Sequence, residues 1–295
     1  MNRMKNFAKI LLLFIVAGIA MTIFSTGVYA GGDLTIFAGA ALKPPTEQAA
    51  KVFENKTGIK VDLNFGAGGT LISQMILSKQ GDIYFAPSSD FMELAKMKGV
   101  VFPETEKRVV YLVPALLVQK GNPKKIKSLR DLTRPGLRVA IANPAVGCIG
   151  VYAVQIIEKS FSPEEKAAFR KNVVNYAASC DQLSADLSLK TVDAIIGWRI
   201  FGYWDPKRIE IIPLKKSEIV RLNYGAIAIS RFTKQRDLAR KFINFVLSDE
   251  GKAIFRKYHY FTTPDEAFSW IGEKKPVGGP LYVVPKEWIT PPKYI

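Results

Sequence analysis

Short strand-like apolar runs alternate with amphipathic helical runs along most of this chain, and small residues make the change-over from strand to helix. Residues 34–37 are apolar and β-favouring. Residues 44–57 have helical spacing, with Ala50, Val52 and Phe53 on the inner side. Residues 60–65 alternate polar and apolar as a strand does. A helix is expected over 71–78, a strand over 82–86 and a helix over 90–98. Such a βαβαβα succession is satisfied by parallel strands covered by helices, an α/β layer architecture. Further along, 109–119 reads as one strongly apolar strand and 138–142 as another, followed by a helix over 150–159. Ser162-Pro163-Glu164-Glu165 is a helix start: a serine cap, proline in the first turn, and acids near the positive end of the dipole. Strands are expected over 194–197, 209–213 and 224–229, and helices over 234–247 and 250–258. After Phe261 the chain is rich in proline, glycine and aromatics and reads as an extended tail.

The first residues stand outside this pattern. Arg3, Lys5 and Lys9 precede an apolar run over 10–24, and Val28-Tyr29-Ala30 offers a small-x-small cleavage site. This is a secretory signal peptide over 1–30, cut after Ala30. The protein is therefore expected to be exported, periplasmic or extracytoplasmic.

Several chemistries are excluded by residue counts. His259 is the only histidine, so a multi-histidine metal site is impossible. Two cysteines, Cys148 and Cys180, cannot by themselves build a zinc ribbon or an iron–sulfur site. Glu164 and Glu165 diverge as helix neighbours and read as a cap, not a catalytic pair. The formal charge of +16 is scattered, with no nucleic-acid-binding signature, and suits long-range attraction of an anion. No nucleic acid, metal or cofactor is expected.

Four turns carry the chemistry: 38–41 (Ala-Gly-Ala-Ala), 66–70 (Gly-Ala-Gly-Gly-Thr), 143–150 (Asn-Pro-Ala-Val-Gly-Cys-Ile-Gly) and 178–182 (Ala-Ser-Cys-Asp-Gln). Small residues let backbone N–H groups approach a ligand, and a helix N-terminus adds unpaired donors and partial positive charge. Open α/β sheets bind ligands at the carboxyl ends of strands, where these turns lie. A Walker loop needs Gly-Lys-Ser/Thr, but Gly69 precedes Thr70-Leu71. The dinucleotide fingerprint fits poorly too, since Gly66-Ala67-Gly68-Gly69 follows the second strand and not the first.

These residues, in order, resemble a known family. Residues 34–42 (LTIFAGAAL), 53–61 (FENKTGIKV) and 65–71 (FGAGGTL), with 192–198 (VDAIIGW) and the helices through 239–255, are similar to periplasmic molybdate-binding proteins of ABC importers. The likeness runs from Leu34 to Phe261. It implies a two-lobed type II periplasmic binding protein fold with a ligand cleft between the lobes, closing on a tetrahedral oxyanion, molybdate or tungstate foremost. It implies an ABC permease as membrane partner, a monomer, and no enzymatic step. Carried over by position, the family's two serines fall at Ala41 and Gly68, where only backbone N–H groups can donate. Its main-chain donors fall at Ile149 and Gln182, and its ligand-facing tyrosine at Trp198. With Gly69 these are the expected ligand residues. The alternatives are a secreted enzyme acting on a phosphorylated or sulfated substrate and a sensory anion-binding module.

Lobe one is expected over 31–108 and 222–261 and lobe two over 109–221, with 262–295 packed as an extended tail on lobe one. If the third and fourth turns line one pocket, Cys148 and Cys180 are close, and export would favour a disulfide between them. Two buried free thiols, or thiols touching the ligand, are the competing readings. Export carries its own check: the N-terminal sequence of protein recovered from the extracytoplasmic fraction should begin at Gly31, and an intact Met1 terminus there would overturn the leader assignment.

Overall fold

The computed structural model describes residues 32–289, so the expected leader and residues 290–295 of the tail lie outside the described residues. Strand β1 (Leu34–Gly39) passes through a 3₁₀ turn (Ala40–Leu42) into α1 (Lys43–Thr57). Then come β2 (Val61–Gly66), α2 (Gly68–Ser78), β3 (Ile83–Ala86), α3 (Ser89–Met97) and β4 (Lys107–Leu112). The chain continues with β5 (Pro114–Gln119), β6 (Val139–Ala142), α4 (Cys148–Ser160), α5 (Pro163–Asn172), β7 (Val173–Ala177), α6 (Cys180–Ser188), β8 (Ala194–Trp198), α7 (Phe201–Trp204) and β9 (Ile209–Ile212). It closes with β10 (Asn223–Ile229), α8 (Arg236–Leu247), α9 (Asp249–Lys257), α10 (Pro264–Ile271) and α11 (Lys286–Ile289).

Two mixed five-stranded sheets result, ordered β2-β1-β3-β10-β4 and β7-β6-β8-β5-β9. In each, parallel strands form one side, and a late or early strand runs against them: β10 antiparallel to β3 and β4, β5 antiparallel to β8 and β9. Helices cover the sheets, so the central strands β3, β5, β6, β8 and β10 are buried throughout and apolar except for Gln119 and Asn223 at the ends of β5 and β10. The fold is two-lobed α/β, one lobe around each sheet.

The stretch 109–119, expected as a single strand, is two strands in different sheets. Leu112 pairs with Asn223 in the first sheet, and two residues later Pro114 pairs with Trp198 in the second. Proline has no N–H and restricts the residue before it, so the ladder on β10 stops there. Val113 between them turns its carbonyl to the Arg199 N–H at 2.9 Å. The chain returns to the first sheet between β9 and β10.

Where that return segment runs, a polar cluster is buried. The Arg221 guanidinium reaches both Asp90 oxygens, at 2.8 and 2.9 Å, and donates through Nε to Gln155 Oε1 at 3.0 Å. Asp90 opens α3 on the first sheet, and Gln155 lies in α4 on the second. Asp90 is 1% exposed and Arg221 6%. Next to them Asn223 Oδ1 accepts from the Tyr152 hydroxyl at 3.0 Å and from the Ser89 N–H at 3.2 Å.

The tail departs from expectation in two ways. It is not extended throughout. Thr263 caps α10 in a reciprocal box with Glu266, and Pro264 sits in the first turn, where a missing N–H costs nothing. Nor does it stay on the first lobe. Trp288 is fully buried against Phe169 of α5, and its indole N–H donates to Glu158 of α4 at 2.8 Å. Both helices flank the second sheet, and the apolar face that α5 leaves uncovered is what the indole fills.

Removing one member of a buried, hydrogen-bonded charge pair strands the other. The substitution Asp90→Ala should therefore destabilise the protein by about 3–5 kcal/mol in urea unfolding. A loss below about 1 kcal/mol, the range of surface pairs, would show that water already reaches Arg221.

Candidate functional site

The four small-residue turns leave the carboxyl ends of β1, β2, β6 and β7 and meet in pairs between the sheets. The second turn meets the third. Gly69 donates its N–H to the Val146 carbonyl at 3.3 Å, and a Cβ at Gly69 would stand 3.3 Å from the Ala145 oxygen. The first meets the fourth, since α6 packs against the 3₁₀ turn Ala40–Leu42. Glycine is needed for this fit at two positions in particular. A Cβ on Gly39 would lie 2.3 Å from the Pro87 side chain, and one on Gly150 would lie 2.3 Å from the Ala142 oxygen.

Of the residues expected to hold a ligand, Ala41, Gly68, Ile149 and Trp198 are buried and Gly69 is half-buried. Gln182 is exposed, and the structure does not bring it inward. Its N–H donates to the Ser179 cap at 3.3 Å, and its side-chain oxygen turns back to accept from the Ala178 N–H at 2.9 Å. The Trp198 indole N–H is directed at Cys148 Sγ, 3.3 Å away, and its ring meets Tyr152 edge-on with centroids 5.1 Å apart. Trp198 thus packs as a core aromatic whose donor is already used. The Ile149 N–H is hydrogen-bonded to Cys180.

Cys148 and Cys180 do come together, at the starts of α4 and α6, but they are free thiols. Their sulfurs stand 3.6 Å apart, against about 2.05 Å in a disulfide. This corrects the expected bond. The turns bring the thiols into contact in a buried layer, where the indole and a backbone N–H serve as their donors. The hydrogen bond with Cys148, and then burial, push the Cys180 thiol well above its ordinary range, so it holds its proton.

Three phenols complete the interior, and none of them is among the expected ligand residues. Tyr84 donates to the Gly68 carbonyl at 3.1 Å, Tyr260 to the Ala41 carbonyl, and Tyr152 to Asn223. Burial raises all three well above the usual phenol range, so they stay neutral. The region therefore offers N–H, O–H and S–H groups, while the buried charge pair Asp90–Arg221 sits behind Tyr152. Tyr84 lies in a fully apolar strand and Tyr260 beside His259, so neither carried a sequence signal beyond hydrophobicity. His259 itself stacks on Tyr203 at 4.0 Å, and no group of three or more metal-ligating side chains occurs among the described residues. Cavities of about 380, 580, 470 and 340 Å³ open elsewhere on the molecule, and none of these four is lined by the expected ligand residues.

Residues 34–261 match a family model described as bacterial extracellular solute-binding protein. A putative binding protein of Haemophilus influenzae is 28% identical over 246 residues, covering 82% of this chain and 95% of that protein. The molybdate-binding protein ModA of Mycobacterium tuberculosis is 24% identical over 223 residues, 75% of this chain and 82% of its own length. Among solved structures, the Azotobacter vinelandii periplasmic molybdate-binding protein superposes with a TM-score of 0.67 at 17% identity, covering 78% of this chain and 99% of that one. The Mycobacterium tuberculosis sulfate-binding protein SubI gives 0.73 at 15% identity, with 85% and 95% covered. PEB3 bound to L-phospholactate gives 0.65 at 22% identity, with 78% and 100% covered. At these identities the structures establish the shared fold.

The thiols provide a direct check. Folded, unreduced protein should give no reaction with a maleimide, and two thiols per chain should react once it is unfolded in guanidinium. Absence of reactive thiols after unfolding would restore the disulfide.

Proposed function

The chain belongs to the bacterial extracellular solute-binding proteins, and from that premise we propose that it is the extracytoplasmic binding subunit of an ABC importer for a tetrahedral oxyanion, molybdate or tungstate foremost. What carries the reading is the meeting of four strand-to-helix turns between two sheets, with neutral donors and no formal cation among the expected ligand residues. Helix N-termini hold an anion through backbone N–H groups and aligned dipoles. A fully ionised oxyanion has only acceptors, so surroundings that can supply backbone N–H donors suit it. The relatives named for molybdate support this choice.

Binding on this reading is an exchange of partners. The N–H groups of Gly69, Ile149 and Gln182 are engaged by the Val146 carbonyl, the Cys180 thiol and the Ser179 hydroxyl. Separation of the lobes frees Gly69 first, because its acceptor belongs to the other lobe. The anion then takes such donors from both sides, and the liganded, closed form is the one a permease reads. No bond is made or broken. The positive surface draws the anion from a distance without fixing its identity. Ala41 and Gly68 supply no hydroxyls, so selection among oxyanions falls to backbone donors and cleft size.

A thermal-shift panel of molybdate, tungstate, sulfate, phosphate and L-phospholactate tests the proposal. A ligand present at 100 times its Kd stabilises by about 2.7 kcal/mol, and molybdate and tungstate should give the largest shifts. A shift with sulfate or L-phospholactate alone would replace molybdate as the ligand. No shift with any anion would overturn the oxyanion reading.

A further inference from the structure

The family match ends at residue 261, yet the chain continues along the return crossing and reaches the second lobe. Its course is fixed at three places. At the crossing, the Leu222 N–H donates to the Pro276 carbonyl and the Gly278 N–H to the Leu222 carbonyl, each at 2.8 Å. Gly278 has φ +69, and a Cβ there would lie 2.5 Å from the Tyr224 ring, so glycine alone fits both the backbone and the space. On the first lobe, the Tyr282 N–H donates to Asp90 Oδ1 at 3.2 Å, capping the buried ion pair. On the second lobe, Trp288 is buried against Phe169 and bonded to Glu158. The Arg170 guanidinium lies 5.2 Å above its ring and donates to the Glu287 carbonyl at 2.7 Å.

Between the last two anchors Val283 is 85% exposed, while Val284 and Pro285 are half-buried. The segment therefore runs over the surface from one anchored lobe to the other. We infer that the segment from Val277 to Ile289 is a latch across the hinge, which restrains separation of the lobes and slows ligand exchange. From Tyr282 to Trp288 the chain can reach at most roughly 20 Å. Any opening that carries the two anchors further apart must pull the Trp288 indole out of its pocket and expose Phe169. Asp90 couples the latch to the ion pair beneath it, because the same carboxylate holds both Tyr282 and Arg221.

The latch rests on the two-lobed reading, not on the identity of the ligand. Four forms of the mature chain test it: the parent, Trp288→Ala, Trp288→Phe, and a form with a flexible Gly/Ser linker inserted after Val284. The linker form keeps the indole and its pocket but slackens the tether, so the test survives if Trp288→Ala fails to fold. X-ray scattering without added anion should give a larger radius of gyration for Trp288→Ala and for the linker form, with Trp288→Phe near the parent. With molybdate as probe, dissociation from those two forms should be about tenfold faster, equivalent to about 1.4 kcal/mol. Equal radii in all four forms would overturn the latch even if molybdate binds. Larger radii with no molybdate binding by the parent would uphold the latch and remove molybdate as the ligand.

Discussion

The Asp90–Arg221 pair is the interaction around which the two halves are organised. Its carboxylate begins α3 on the first lobe, its guanidinium sits in the return crossing, and the guanidinium's third contact, Gln155, belongs to α4 on the second. Taking such a pair out of water costs about as much as the mutual attraction returns, so its net contribution to stability is small. Its consequence is geometric. A charge buried to this depth tolerates only arrangements in which it stays paired, and those arrangements fix how the crossing segment meets both lobes. Tyr152 and Asn223 extend the same network toward the thiols and Trp198, so the return crossing and the meeting of the turns are parts of one polar seam.

That seam explains why the meeting of the turns can remain neutral. The formal charges are spent behind Tyr152, while the region itself presents backbone donors, phenols held in their protonated form, and thiols. An anion placed among helix N-termini gains from fixed dipoles that need no reorientation. A lysine or arginine at the same place would strengthen binding of any anion and discriminate less among them. The structural relatives are named for molybdate, sulfate and L-phospholactate ligands. The fold these relatives share thus goes with several different anions.

The internal engagement of Gly69, Ile149 and Gln182 bears on how such a site works. Each donor has a protein acceptor in the structure, so no buried N–H is stranded while lobe meets lobe. On the proposed reading, ligand entry replaces bonds of similar strength, and the driving force comes from the charge on the acceptor. Of these three bonds, the one from Gly69 to Val146 is the one that joins the lobes directly.

The α/β alternation, the strand-to-helix turns and the family likeness were legible in the sequence, because they are local. Periodicity, a serine cap such as Ser162 and a glycine before a helix each act within a few residues. Which of those residues face a ligand was less legible. Ala41 and Ile149 lie at the meeting of the turns as the motifs imply, but Gln182 turns outward because Ser179 captures its N–H and Ala178 its side chain. Trp198 is expected from the resemblance to face a ligand, whereas in the structure its donor goes to Cys148, a partner fifty residues away. The break of 109–119 at Val113 was signalled by Pro114, whereas the transfer of the chain to a second sheet depends on β8 and β10. Trp288 shows the limit most clearly. Its hydrophobicity demanded a cover, but α5, which supplies it, lies far off in sequence, and only tertiary packing decides which exposed apolar face a distant aromatic will fill.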